Sequence, residues 1–317
     1  MRCLTLLMGL ACAVCSMAQI AQPITPERPV PFDSYICQDA LGRTIRFYVS
    51  PAPPGKPLPL AVWVGGSGGQ SIWPVREGQV QGGLQNLLQQ VAANRFRVLA
   101  VEKPGVPFGF QDNQPGTATG ATAAFCEEHT LDRWVEAIRA ATRAAHKLPG
   151  VSTERTLAIG HSEGGLVVAR LAALEPSITH VASLAGGGPT QLSDLMTLFG
   201  REKAEQLWRT IQADPMSGEK QVWGHPHRRW TTFMATSIIE EAVKSKAKFY
   251  IAQGSEDRNS LPGSALDVYA TLLTRGRHVT LDWINGADHS FEMAGTRPTG
   301  EGFQAVMGRV AEWYLAP

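Results

Sequence analysis

The stretch Thr156-Leu-Ala-Ile-Gly160-His-Ser162-Glu-Gly164-Gly165 constrains this chain more than any other. A short apolar run feeds straight into Gly-x-Ser-x-Gly, and a second apolar run, Leu166 to Leu174, follows it. This pattern predicts a strand, a sharp turn and a buried helix, with a serine at the apex of the turn. So tight a turn puts the serine in a strained backbone conformation, and neighbours without Cβ let the two arms approach. The hydroxyl then stands clear of the main chain. The helix that begins after it points N–H groups at any developing negative charge. A glycine-rich turn with a solvated serine shares the motif but has no need of the flanking strand and helix.

A serine of ordinary pKa is a poor nucleophile and needs a base. Two later segments offer the partners. Lys248 to Ala252 reads as a compact apolar strand, and the loop leaving it carries Glu256 and Asp257. The two adjacent carboxylates are rivals; Asp257, three residues beyond Gly254, resembles the Gly-x-x-Asp of many α/β-hydrolases and is preferred on that resemblance. Val279 to Ile284 is another strand, after which Asp288 and His289 sit in a turn. His289 is free there to swing toward the serine, whereas Asp288 reads as a turn stabiliser. Side chains that leave parallel strands at their carboxyl ends gather on one edge of a sheet.

The order Ser162, Asp257, His289 is that of α/β-hydrolases and not that of chymotrypsin or subtilisin. The chain resembles that superfamily over nearly all of residues 19–317. The Gly-His-Ser-Glu-Gly-Gly motif resembles those of bacterial secreted esterase-like and peptidase-like members. The resemblance implies an α/β-hydrolase fold, a doubly wound and mostly parallel sheet. It also implies an oxyanion hole. Leu60 to Val64 reads as the third strand, followed by Gly65, Gly66, Ser67, Gly68 and Gly69. Where the family has a His-Gly-x segment, Gly65 replaces the histidine, Gly66 matches the glycine and Ser67 supplies a backbone N–H. The missing histidine leaves Gly66, Ser67 and Gly68 open as donors. The second donor is the N–H of Glu163. The activity implied is that of a secreted serine hydrolase cleaving carboxylic esters through an acyl-enzyme. A peptidase or amidase with the same triad, and a non-catalytic binding protein on the same fold, stay open beside it.

Residues 1–18 read as a secretory signal, with Arg2, an apolar stretch from Leu4 to Val14 and Ser16-Met17-Ala18 before Gln19. The expectation is a periplasmic or secreted protein. A lipoprotein is the lesser reading, because Gly9-Leu-Ala-Cys12 lacks the leucine usual three residues before the cysteine. No later stretch reaches the length of a membrane span. Beyond the signal only Cys37 and Cys126 remain, and an oxidising compartment makes a disulfide between them the expectation.

The rest of the chain alternates strand and helix patterns, the rhythm of a doubly wound sheet. Ser34 to Cys37 and Arg43 to Val49 read as an antiparallel start, residues 79–93 as a helix, and Thr130 as the cap of another. Phe303 to Tyr314 carries a clear amphipathic helical pattern. Between Leu184 and Lys248 there are far more residues than a single crossover needs. The surplus, about 186–246, reads as a helical cap inserted over the nucleophile. Trp73, Phe108, Phe110, Trp223, Trp230 and Phe233 are each better read as packing than as pocket lining. His225 and His227 lack the companions of a metal site, and Arg228 and Arg229 read as a solvated charged turn. A formal net charge of +1 and the lack of a phosphate-loop or basic-aromatic pattern point away from nucleic acid and nucleotide cofactors. The expected partner is a small-molecule or acyl substrate, with no metal, no cofactor and no obligate protein partner.

Overall fold

The computed structural model describes residues 20–111, 114 and 116–317. The signal read at 1–18 lies outside the described residues. In chain order the strands are β1 (Gln22–Pro23), β2 (Asp33–Gln38), β3 (Thr44–Val49), β4 (Leu58–Val64), β5 (Val75–Arg76), β6 (Gln79–Val80) and β7 (Arg97–Val101). They continue as β8 (Val151–His161), β9 (His180–Leu184), β10 (Gln221–Val222), β11 (His225–Pro226), β12 (Lys248–Gly254) and β13 (Val279–Ile284). The helices are α1 (Leu84–Ala92), α2 (Ala123–Glu128), α3 (Leu131–Ala145), α4 (Glu163–Leu174) and α5 (Gln191–Phe199). The remainder are α6 (Arg201–Gln212), α7 (His227–Met234), α8 (Ile238–Lys244), α9 (Pro262–Thr274) and α10 (Glu301–Leu315).

Among the described residues nine strands form one sheet in the order β1-β2-β3-β7-β4-β8-β9-β12-β13. Pairing is antiparallel from β1 through β3 to β7 and parallel from β7 to β13. The parallel strands are covered on both faces, which is why they read as unbroken apolar runs. On β4, Leu60, Val62 and Val64 pack into one core with α3 and α4, while Ala61 and Trp63 join a second core with α1 and α10. That alternation follows from the two-residue repeat of a strand. Thr130 caps α3 as its sequence indicated, its hydroxyl accepting from Arg133 N at 3.3 Å.

Three expectations are corrected. Residues 79–93 are not one helix: β5 and β6 form a hairpin, Gly78 has φ +78°, and α1 starts only at Leu84. The stretch 186–246 divides in two. Ile238 and Ala242 of α8 belong to the main core beside Val167 and Leu171, so α8 is the crossover helix between β9 and β12. Residues 190–236 carry a small core of their own around Leu207, Ile211, Trp230 and Met234, while Phe233 joins the main core. Lastly, no disulfide joins Cys37 to Cys126. Cys37 lies in the main core, where burial pushes its thiol up to about 12. Cys126 lies in a separate cluster with Val106 and Phe125 and meets Gln221 Nε2 at 3.8 Å.

Candidate active site

The carboxyl ends of β4, β8, β12 and β13 all open onto one edge of the sheet, because these strands run parallel. β8 ends at His161, α4 begins at Glu163, and Ser162 between them has φ 55° and ψ −125°. Such a conformation costs a residue with a Cβ of order 1–3 kcal/mol and persists only where the surroundings enforce it. Here they do. Ser162 N donates to Leu184 O at 2.9 Å, and Gly165 N donates to Ser162 O at 2.9 Å. A Cβ on Gly160 would lie 2.1 Å from Gly164 O, and one on Gly164 would lie 2.5 Å from Val64 O. Only glycine fits at either place.

The structure brings Asp257 and His289 together. His289 Nδ1 and Asp257 Oδ2 are 2.9 Å apart. Asp257 Oδ1 accepts from Asn259 N at 2.8 Å and Ser260 N at 3.0 Å, and Gln253 Nε2 donates to Oδ2 at 3.1 Å. Burial pushes the Asp257 carboxyl up, but the His289 hydrogen bond and charge and the two N–H donors outweigh it and hold the group below its ordinary value. An ionised Asp257 can only accept, so Nδ1 of His289 carries the proton of this hydrogen bond. Glu256 is exposed and takes no part. Asp288 holds the turn, accepting from Ser290 N at 2.8 Å and Glu292 N at 3.2 Å.

The histidine loop is fastened to the serine turn by a residue that the sequence reading passed over. His161 Nε2 donates to the His289 carbonyl at 3.0 Å, and the two rings lie 4.7 Å apart. Burial, then the neighbouring His289, lower His161 to about 4, so it is neutral near pH 7 and keeps the N–H it donates. The imidazole of His289 is thereby tethered beside the residue that precedes Ser162.

Residues 65–69 complete the edge. A Cβ on Gly66 would stand 3.2 Å from Ser162 Cβ and 3.7 Å from its Oγ, so this backbone lies directly against the serine. Lys103 Nζ donates to Gly66 O and to Gly68 O, both at 2.7 Å, and lies 4.2 Å from the centre of the Trp134 ring. Gly65, Gly66, Ser67 and Gly68 also line a cavity of about 430 Å³ with Gln70, Arg76, Gln85, Lys103 and Trp134.

Beneath the turn, the Glu163 carboxylate is buried and paired with Arg229, whose Nε donates to Oε2 at 2.9 Å and whose Nη2 also reaches Oε2. This overturns the reading of Arg229 as a solvated turn residue. It lies in α7 at 4% exposure, its guanidinium 4.0 Å from the Trp230 ring centre. Arg228 pairs instead with Glu127 at 2.9 Å. His129 Nε2 is 4.0 Å from Glu163 Oε1. Burial pushes the Glu163 carboxyl up, but Arg229, then His129 and Lys103, bring it down to about 2. His225 also faces this group, and burial and Arg229 lower it to about 3. His227 points elsewhere, its Nδ1 bonded to Asp214 O at 3.0 Å.

Residues 125–306, more than half of the chain, match the model of the prolyl oligopeptidase family. The chain belongs to that family. That family is one of serine hydrolases. No curated protein matches its sequence. Among solved structures, it resembles the acylaminoacyl peptidase of Pyrococcus horikoshii with a TM-score of 0.62 at 14% identity, over 90% of this chain and 42% of that one. This chain therefore spans under half of that peptidase's length. It resembles Est1E from Butyrivibrio proteoclasticus with a TM-score of 0.58 at 16% identity, over 90% of this chain and 99% of that one. Acetyl xylan esterase 1 from a Thermoanaerobacterium species matches with a TM-score of 0.54 at 18% identity, over 92% and 88% of the two chains. At such identities the likeness is one of fold, and the fold is that of the α/β-hydrolases.

Proposed function

We propose that the protein is a carboxylic ester hydrolase in which Ser162 is the nucleophile, His289 the general base and Asp257 the group that orients it. The observation that carries this reading is the 2.9 Å Asp257–His289 hydrogen bond, set beside a serine held at φ 55° and tethered to it through His161. As the Ser162 oxygen attacks the acyl carbon, its proton passes to Nε2 of His289, and Asp257 stabilises the imidazolium that forms. The tetrahedral oxyanion takes hydrogen bonds from the N–H of Glu163 and from an N–H of the Gly66–Ser67 loop, each worth about 3 kcal/mol of barrier. His289 then returns the proton to the leaving alcohol. Water, activated by the same base, releases the acid and restores Ser162. Residues 190–236 serve as a cap over this edge, and the cavity beside the 65–69 loop takes one half of the ester.

Ester cleavage is supported by Est1E and the acetyl xylan esterase, which match over most of both chains. A peptidase or amidase reading draws on the family model and on the Pyrococcus horikoshii peptidase. A panel of p-nitrophenyl esters beside aminoacyl anilides separates them. Turnover of the esters at least a hundredfold faster per kcat/KM, beyond their chemical reactivity, is expected; preference for an anilide overturns the ester reading. Export rests on residues 1–18, and N-terminal sequencing of protein recovered from the periplasm or medium should begin at Gln19.

A further inference from the structure

A buried set of charges joins the two halves of the proposed oxyanion hole to the inserted segment. The first half is the 65–69 loop, whose carbonyls at Gly66 and Gly68 are both held by Lys103 Nζ at 2.7 Å. The second half is the main chain of Glu163, whose side chain is held by Arg229 of α7. The Glu163 carboxylate attracts both the Lys103 ammonium and the Arg229 guanidinium, and the two cations oppose each other. Glu163 and Arg229 are buried and Lys103 is half-buried, and an ion pair out of water is costly unless it is closely fitted. Nothing in the sheet needs charges here; apolar side chains would fill the space at less cost. What the charges do is fix two backbone segments whose N–H groups must point at one atom.

The geometry points to Lys103, Glu163 and Arg229 as positioning residues that set the spacing of the two oxyanion donors. The inserted segment, through Arg229, is then part of the catalytic geometry as well as a cover. The inference rests on Ser162 being the nucleophile. It concerns orientation, so it predicts a loss in the transition state that the bound ester does not feel. A displacement of about 1 Å in such a site costs on the order of a hundredfold in rate.

Arg229→Met alone leaves a buried carboxylate unpaired and is expected to fold poorly. The test therefore uses Lys103→Met, which keeps the Glu163–Arg229 pair, and the double variant Glu163→Gln with Arg229→Met, which removes both charges. Each full-length variant is titrated for active sites with a fluorophosphonate, then assayed on p-nitrophenyl acetate. The expected result is a kcat per active site lowered about 10- to 100-fold, with KM within about threefold. A trifluoromethyl ketone inhibitor, which mimics the tetrahedral state, should weaken in parallel. Arg229→Lys should recover part of the loss. A purely structural role would lower the melting temperature and the fraction of active sites, leaving kcat per site unchanged. Unchanged kcat in Lys103→Met overturns the inference for the loop, and in the double variant overturns it for Arg229. Should the double variant not fold, Arg229→Lys decides for Arg229: a kcat per active site below wild type supports the inference there, and an unchanged one overturns it. Failure of the underlying reading shows separately, as turnover surviving in Ser162→Ala.

Discussion

The turn at Ser162 and the junction of residues 190–236 with that turn are one residue apart, yet they are held by opposite means. At the turn, backbone meets backbone: glycines 160 and 164 stand where any Cβ would strike a carbonyl oxygen. At the junction, long side chains meet, and a carboxylate on Glu163 is held by a guanidinium sixty-six residues away. The first arrangement tolerates no added atom and needs no charge. The second depends on charge and on both partners being present. The site thus combines steric tightness at Ser162 with electrostatic fastening around it.

The sharpest way to break the comparison is at the serine itself. Ser162→Ala should reduce kcat on an activated ester by about 10⁶-fold while far-UV circular dichroism and melting temperature stay close to wild type. Retained turnover would show that the strained residue is not the nucleophile. Next comes Asp257→Asn, which keeps the shape but allows the wrong tautomer of His289; kcat should fall about 10⁴-fold with a small change in KM. A loss below tenfold would argue that Asp257 is only a loop anchor. A third substitution, Gly164→Ala, tests the steric half. The new methyl meets Val64 O at 2.5 Å, and overpacking of this kind costs about 1–3 kcal/mol or more. A melting temperature unchanged in that variant would refute the tight packing of the turn.

The smallest effect concerns pH and tests the electrostatic half. His129, His146, His161, His180 and His225 are all lowered from their ordinary value, chiefly by burial. The unfolded chain therefore takes up protons that these folded groups refuse, and stability falls as pH drops below about 6.5. Glu163, at about 2, adds a further loss as pH falls through the ordinary carboxylate range. Glu102 runs the other way. Burial raises it to about 7, so its folded form holds a proton that the unfolded chain loses, and its share of stability declines as pH rises toward that value. Melting curves should show a lower transition at pH 5 than at pH 7.5. Glu102→Gln, which removes the opposing group, should steepen that decline; a flatter profile would contradict the assignment.

Much of the site was legible because its signals are local. Ser162 announces itself through glycines two residues away on either side, and Asp257 and His289 through short loops after apolar strands. Lys103, His161 and Arg229 carried no such mark. Lys103 follows a strand in an ordinary Glu-Lys-Pro turn, His161 occupies a variable place in the motif, and Arg229 sits in a run that looks solvated. Their roles come from partners 37, 128 and 66 positions distant. The helix expected at 79–93 failed for a similar reason: its periodic residues begin at Leu84, and what precedes them is a hairpin set by Gly78.

By itself the sequence determined the alternation of strands and helices and the serine at the apex of its turn, since each follows from periodicity or from steric need within a few residues. The tertiary structure alone decided that Cys37 and Cys126 stand in separate cores, that α8 belongs to the main layer, and that Arg229 lies buried against Glu163. Which groups become neighbours across the chain depends on how the layers close. Burial and charge pairing exist only after that closure.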